Sequence, residues 1–260
     1  MSEADTSTVD LDGHAIRVWR KGNGPTIGFL AGYGGLPRWI PFLDALAAQR
    51  TVIVPSLPGF PGGGRAHLDL DSHLDWIVAA RRICRAAGLD GADLVGSSFG
   101  GGLAAELAAL WPQGVRRLTL IAPLGLYRED QPPTDIFAQR ADEYPGLLCA
   151  DPENYRALKK PPDADDAGEW EIEQARAAEA AARMLWPIAN TRLERRLPLI
   201  EQPTLIVWGA QDAVMPRAYA QRIAASIAGE ARVEIIDGAG HLVELDQPQK
   251  LAQAVLAFTQ

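Results

Sequence analysis

One serine, one aspartate and one histidine of this chain have the types and the order that nucleophilic chemistry on a carbonyl group requires. Ser98 lies at the centre of a G-x-S-x-G pattern, Asp212 follows an apolar run, and His241 lies in a loop after the next apolar run. A hydroxyl group is a poor nucleophile until a base removes its proton, and the base needs a third group to fix its tautomer. We therefore predict Ser98 as the nucleophile, His241 as the base and Asp212 as the acid.

The pattern Gly96-x-Ser98-x-Gly100 joins a predicted strand to a predicted helix. In such a nucleophile elbow the tight turn strains the backbone of the central residue, and the glycines on either side let strand and helix approach closely. The first turn of the helix then offers backbone N–H groups to a developing anion. A glycine-rich turn with a helix-capping serine would show the same pattern, but the flanking strand and helix favour the nucleophile.

Other candidates for the base and the acid have less support from their surroundings. The remaining histidines, His14, His67 and His73, lie on a predicted strand, in a loop and at a helix start, and we interpret them as surface or structural residues. Asp130 is an alternative acid, since it follows the predicted strand at 117–122. It lies in a charged run that is typical of a solvated surface, so Asp212 is preferred.

Short apolar strands that alternate with helices position these residues. Strands are predicted at 14–19, 26–30, 51–54, 92–95, 117–122, 204–208 and 233–236, and helices at 38–48, 71–87, 99–110, 217–228 and from 247 onwards. This alternation is typical of a parallel sheet covered on both faces, with ligand sites at the carboxyl ends of its strands. We expect the first two strands to form an antiparallel hairpin at the sheet edge.

The alternation of strands and helices stops at Pro123. Residues 124–197 hold 15 acidic and 10 basic residues, show helical periodicity and contain no convincing strand. We therefore expect a core domain built from 1–123 and 198–260, with a helical lid at 124–197. The acidic, proline-rich piece at 160–166 is predicted to be an exposed connection between lid helices.

Length and composition exclude several classes of protein. The chain has 260 residues, a net charge of −8, 47% hydrophobic and 22% charged residues, as in an ordinary globular protein. The acidic balance argues against nucleic-acid binding, and two cysteines make neither a disulfide framework nor a metal cluster. No secretion signal and no membrane-length apolar run are visible. We expect a cytoplasmic protein that acts on a small molecule without cofactor or metal, and the oligomeric state is left open.

Beyond these patterns, the chain resembles the α/β-hydrolase fold superfamily over nearly its whole length. The segments that match are LAGYGG at 30–35, PSLPGF at 55–60, GSSFGG at 96–101, WGAQD at 208–212 and GHLVELDQP at 240–248. The resemblance implies an eight-stranded, mostly parallel sheet flanked by helices, with a helical lid after strand six. It also implies an oxyanion hole formed by the backbone N–H groups of Tyr33 and Phe99.

Two departures from the superfamily pattern stand out. A His-Gly pair is usual after the third strand, and its histidine supports the oxyanion loop from behind, whereas this chain has Ala31-Gly32. The support of the loop is therefore unexplained at this point. Ser56 stands where aspartate is common, which we interpret as the loss of a surface turn contact.

Several side chains are candidates for contact with the substrate. The candidate substrate contacts are Arg38, Trp39, Phe137, Trp186 and Met215. The alternative for each of them is structural: packing at a helix start, contact with water, packing within the lid, or filling of space.

The favoured function is hydrolysis of carboxylic esters of small, largely neutral molecules. The alternative is hydrolysis of a carbon–carbon bond, as in the meta-cleavage-product hydrolases, of which the segment at 98–101 is reminiscent. Those enzymes carry asparagine before the nucleophile, where this chain has Ser97. A non-catalytic ligand-binding protein on the same fold is a further alternative, which slow or absent turnover would favour.

Overall fold

The computed structural model describes residues 3–161, 167–186 and 190–260. Its strands are β1 (Asp5–Leu11), β2 (His14–Lys21), β3 (Thr26–Leu30), β4 (Thr51–Pro55), β5 (Ala92–Ser97), β6 (Val115–Ile121), β7 (Thr204–Gly209) and β8 (Ala231–Ile236). They form one eight-stranded sheet in the order β1-β2-β4-β3-β5-β6-β7-β8. Strands β3 to β8 pair in parallel, while β2 pairs antiparallel with both β1 and β4.

Helices cover both faces of this sheet. They are α1 (Pro41–Ala47), α2 (His73–Ala86), α3 (Ser98–Leu110), α4 (Tyr144–Leu148), α5 (Pro152–Lys159), α6 (Ala167–Leu185), α7 (Ala218–Ser226), α8 (Val243–Asp246) and α9 (Pro248–Phe258). Phe42 of α1 and Leu251 of α9 belong to one buried cluster, whereas Trp76 of α2 and Tyr219 of α7 belong to another. The predicted mostly parallel, eight-stranded sheet flanked by helices is confirmed.

The predicted hairpin between the first two strands is wrong. Strand β2 pairs with β4 and with β1, a strand that the sequence analysis missed, and β3 lies between β4 and β5. The four C-terminal residues of β3 are buried, so this strand needs a neighbour on each side, whereas β1 is mostly exposed at the sheet edge. An edge strand with polar residues on both faces lacks the apolar alternation by which strands are recognised.

The first helix begins later than predicted, at Pro41 rather than at residue 38. Ile40 is extended, with φ −119° and ψ 156°, and Pro41 is the first helical residue. Proline is favoured at this position because its missing N–H would have no helical partner, and its ring disfavours a helical conformation of the preceding residue. Elsewhere the predicted helices and strands differ from the observed ones mainly at their ends.

The interval between β6 and β7 contains α4, α5 and α6. Within the described part of this interval, no residue lies in a strand. The predicted connection at 160–166 falls mostly on residues 162–166, which lie outside the described residues. In the described parts of the chain, no helix is both long and apolar enough to cross a membrane.

Candidate active site

Ser98 lies at the turn between β5 and α3, as the G-x-S-x-G pattern predicts. Its φ is +50°, a left-handed conformation that is strained for a residue with a side chain. A Cβ atom on Gly96 would collide with the carbonyl oxygen of Gly100, and one on Gly100 would collide with that of Leu30. The two glycines are therefore required for the close approach of β5, α3 and β3 that holds the serine in place.

The structure brings Ser98, His241 and Asp212 into one chain of hydrogen bonds. The Ser98 Oγ lies 2.8 Å from His241 Nε2, and His241 Nδ1 lies 3.0 Å from Asp212 Oδ2. The three side chains are almost completely buried. Because an ionised carboxylate only accepts, Nδ1 carries the proton of a neutral imidazole and Nε2 accepts from the hydroxyl. This arrangement can transfer a proton from the serine to the imidazole.

The loop after β7 fixes the Asp212 carboxylate. Its Oδ1 accepts from the backbone N–H groups of Val214 at 2.8 Å and Met215 at 2.9 Å, which leaves Oδ2 for His241. The carbonyl of Met215 in turn accepts from the indole N–H of Trp208 at 3.1 Å. Met215, a predicted substrate contact, thus binds Asp212 through its backbone while its side chain is fully buried in the core.

Asp246, which the sequence analysis did not single out, fixes the loop that carries His241. Its carboxylate accepts from the backbone N–H groups of Gly240 at 2.8 Å and Ala150 at 2.7 Å, and from the amide of Asn154 at 2.8 Å. One carboxylate therefore ties the histidine loop to the α4–α5 junction. The available signal was its place in the GHLVELDQP segment.

The backbone amides of Tyr33 and Phe99 face no acceptor in the described parts of the chain. Phe99 is the second residue of α3, where an N–H group has no partner within the helix. The Gly100 amide donates to the carbonyl of Ala31 at 3.2 Å and so joins the loop that carries Tyr33 to the start of α3. Two N–H groups on these joined segments can receive a developing oxyanion.

An aromatic row leads outward from Tyr33. Its ring lies edge-on to Phe137, with centroids 6.1 Å apart, and Phe137 lies edge-on to Trp186 at 5.9 Å. Tyr144 of α4 also packs on Tyr33, at 6.0 Å. Phe137 and Trp186, both predicted substrate contacts, are therefore brought to the loop that carries the Tyr33 amide.

Arg38 and Trp39, the other two predicted substrate contacts, contact different parts of the molecule. Arg38 donates to the carbonyl of Lys160 and lies over the ring of Trp170. Trp39 packs edge-on against Trp19 and donates to the Asp44 carboxylate at 3.0 Å.

The alternative acid and the remaining histidines lie apart from Ser98 in the described hydrogen-bond network. Asp130 is exposed and accepts both of its side-chain hydrogen bonds from Arg128, at 2.7 Å each. The nearest carboxylates to the other histidines belong to Asp69 for His14, Glu179 for His67 and Glu106 for His73. No group of three or more potential metal ligands comes together among the residues that the structure describes.

Two ionisable side chains close to this site were not among the predicted site residues. Lys159 of α5 donates to the carbonyl of Gly34 at 3.2 Å and to the side chain of Gln174 at 2.6 Å, and burial lowers its pKa to about 8. Glu244, three residues after His241, is 3% exposed, and burial raises its pKa to about 7. Both depend on contacts between segments that are distant in the chain.

Comparisons with known proteins place this geometry in a family. A sequence model of the alpha/beta hydrolase family matches residues 29–254. The dihydrolipoyllysine-residue acetyltransferase component of the acetoin cleaving system of Cupriavidus necator is 30% identical over 92% of this chain, and the chain spans 64% of that protein's length. The monoacylglycerol lipase ABHD6 of Homo sapiens is 28% identical over 92% of this chain and 76% of its own length.

The solved structure of 2-hydroxy-6-oxo-6-phenylhexa-2,4-dienoate hydrolase from Rhodococcus sp. strain RHA1 superposes with a TM-score of 0.77 over 98% of both chains, at 18% identity. This likeness shows a shared fold. Together with the sequence match, it shows that the chain belongs to the alpha/beta hydrolase family.

Proposed function

We propose that this protein is a serine hydrolase that cleaves carboxylic esters of small, largely neutral molecules. The observation that carries the proposal is the buried chain of hydrogen bonds from Ser98 through His241 to Asp212, with distances of 2.8 Å and 3.0 Å. The similarity to a monoacylglycerol lipase over 92% of the chain supports ester cleavage.

In this mechanism, Ser98 Oγ attacks the ester carbonyl carbon while His241 Nε2 takes the hydroxyl proton. The tetrahedral intermediate then collapses, the histidine returns the proton to the departing alkoxide, and an acyl-enzyme remains. Water, activated by the same histidine, releases the acid and restores the serine. Asp212 stays ionised throughout and stabilises the imidazolium.

The amides of Tyr33 and Phe99 are proposed as the oxyanion hole. Neither meets an acceptor in the described structure, and both are carried by segments joined through the Gly100–Ala31 hydrogen bond. Donors that are already oriented toward the developing charge are typically worth about 10²–10³-fold in kcat each.

Residues 124–197 are proposed as a lid over a core made of 1–123 and 198–260. The aromatic row from Tyr33 to Phe137 and Trp186 supports this division, as does the contact of Asp246 with the α4–α5 junction. A lid that excludes water and shapes the pocket would select substrates without supplying the reacting groups.

The test is active-site labelling with a fluorophosphonate, followed by turnover of a panel of p-nitrophenyl esters and of a β-diketone. We expect labelling and ester turnover in the wild type and in Ser97→Ala, the neighbouring serine, and loss of both in Ser98→Ala. Undiminished ester turnover in Ser98→Ala, with contamination excluded, would refute the mechanism. Turnover of the diketone alone would favour carbon–carbon cleavage, and tight binding without turnover would favour a ligand-binding protein.

A further inference from the structure

The oxyanion loop, defined here as residues 31–36, turns sharply through Gly34 and Gly35, whose φ angles are +79° and +63°. One end is held by the hydrogen bond from the Gly100 amide to the Ala31 carbonyl. The Ala31 side chain is only a methyl group, so it provides no hydrogen bond to the loop. Within the loop, Lys159 binds the carbonyl of Gly34 at 3.2 Å. The direction of the Tyr33 amide therefore depends also on what holds the other end.

Arg17 of β2 binds that other end. One terminal nitrogen of its guanidinium donates to the carbonyls of Leu36 at 2.7 Å and Pro61 at 2.9 Å. The guanidinium also lies over the indole of Trp19, with its carbon 3.6 Å from the ring centroid. Burial lowers the pKa of Arg17 to about 10, so the side chain is still a cation at neutral pH.

The backbone of Arg17 is itself fixed against the segment that follows β4. Its N–H donates to Gly62 and its carbonyl accepts from the Ser56 amide, both at 2.8 Å. The Ser56 hydroxyl donates to the carbonyl of Pro61 at 2.7 Å. The interpretation of Ser56 as a surface residue is thus wrong, because it is buried beside Arg17.

Arg17, Ala31, Leu36 and Ser56 are among the residues that line a small cavity of about 10 Å³. A planar cation with several donors is suited to bridging two carbonyl groups of different segments.

We propose that Arg17 is a positioning residue of the reaction: by holding the Leu36 end of the oxyanion loop, it directs the Tyr33 amide at the oxygen of the tetrahedral intermediate. The proposal rests on the proposed ester hydrolysis. Because negative charge on this oxygen develops only in the transition state and the tetrahedral intermediate, loss of Arg17 should lower the rate of acylation more than it weakens substrate binding.

The experiment compares Arg17→Met, which keeps a long apolar stem, Arg17→Lys, and Arg20→Met as the control on an exposed part of the same strand. The initial rate of the acylation burst is measured with a neutral p-nitrophenyl ester. This rate is divided by the number of active sites that a fluorophosphonate titrates. We expect acylation per site to fall about 10–100-fold in Arg17→Met, by less in Arg17→Lys, and not in Arg20→Met. The KM should change about twofold at most, and millimolar methylguanidinium should restore part of the rate in Arg17→Ala.

Wild-type acylation per titrated site in Arg17→Met would overturn the proposal, as would a loss that appears only in KM. A loss in Arg17→Ala that methylguanidinium fails to reverse would overturn it as well. If Arg17→Met yields too little titratable protein, the same criteria applied to Arg17→Lys decide. Ester turnover that survives Ser98→Ala would instead refute the proposed function. Turnover that depends on Ser98 but not on Arg17 refutes this inference alone.

Discussion

Two carboxyl groups near His241 have opposite surroundings. Asp212 is buried but accepts two backbone hydrogen bonds besides the bond to the imidazole, so its negative charge is compensated. Glu244 is buried as well, and burial is the largest influence on its pKa, which rises to about 7. At the residue scale, one carboxyl group is thus held by three hydrogen bonds, while burial raises the pKa of the other.

The raised pKa of Glu244 predicts a pH-dependent stability. The favourable contribution of Glu244 to the free energy of unfolding is complete below the unfolded-state pKa of about 4.3. It is lost as the pH rises through the folded-state pKa. At about 1.4 kcal/mol per pH unit, the loss approaches roughly 4 kcal/mol by pH 8. In Glu244→Gln, this part of the fall in the free energy of unfolding should disappear.

Urea unfolding at several pH values between 5 and 8 measures this difference. Glu234→Gln, on an exposed position of β8, is the matched control and should follow the wild type. The same pH dependence in Glu244→Gln and the wild type would show that Glu244 titrates normally.

At the scale of elements, strand ends carry Ser98, Asp212 and His241, while the aromatic row comes from the interval between β6 and β7. Phe137 packs on Tyr33 of the oxyanion loop, and Trp186 packs on Phe137. This separation of reacting groups from pocket-shaping groups is what the proposed lid requires.

Alanine at Phe137 or Trp186 should therefore change kcat/KM unequally across esters of different acyl length. Fluorophosphonate labelling of Ser98 should persist, because the reacting groups lie on other elements. Ile172→Ala is the control, since Ile172 lies on α6, which ends just before Trp186, and is 59% exposed, much as Trp186 is 62% exposed. Equal proportional losses on every ester would mean that the aromatic row is only structural.

At the scale of the whole molecule, one buried carboxylate joins three distant segments. Glu106 of α3 is 1% exposed and binds His73 of α2 at 3.0 Å and Arg196, which lies at the end of the proposed lid. Burial alone would raise the pKa of Glu106, but the hydrogen bonds from His73 and Arg196 outweigh it and lower the pKa. The cluster therefore fixes the end of the proposed lid against the core.

Glu106→Gln should destabilise the fold by about 3 kcal/mol, near the lower end of the range for a broken buried pair, because Arg196 keeps some contact with solvent. Urea midpoints at neutral pH measure the change. Glu194→Gln, an exposed glutamate two residues before Arg196, should leave the midpoint unchanged. Equal midpoints for the two variants would show that the cluster adds nothing to stability.

Apart from β1, the order of the strands along the chain and the places of Ser98, Asp212 and His241 could be predicted from the sequence. The sequence signals for these features are local. Apolar runs mark buried strands, and the close backbone contacts of the elbow require glycine on either side of the serine. Once the strands are known to be parallel, their carboxyl ends must meet at one edge. The segments between these strand ends and the three residues are short, so the side chains lie within hydrogen-bond distance of one another.

The partners of β2, the edge strand β1, and the contacts of Arg17 and Asp246 were decided only by the tertiary structure. Strand order depends on which neighbours each strand can bury against, and an exposed edge strand has no apolar alternation to mark it. The Arg17 guanidinium reaches carbonyls at positions 36 and 61, and the Asp246 carboxylate reaches an amide at position 150. A side chain that binds a distant backbone group leaves no periodicity in the sequence, because its partner is chosen by the packing of the whole molecule.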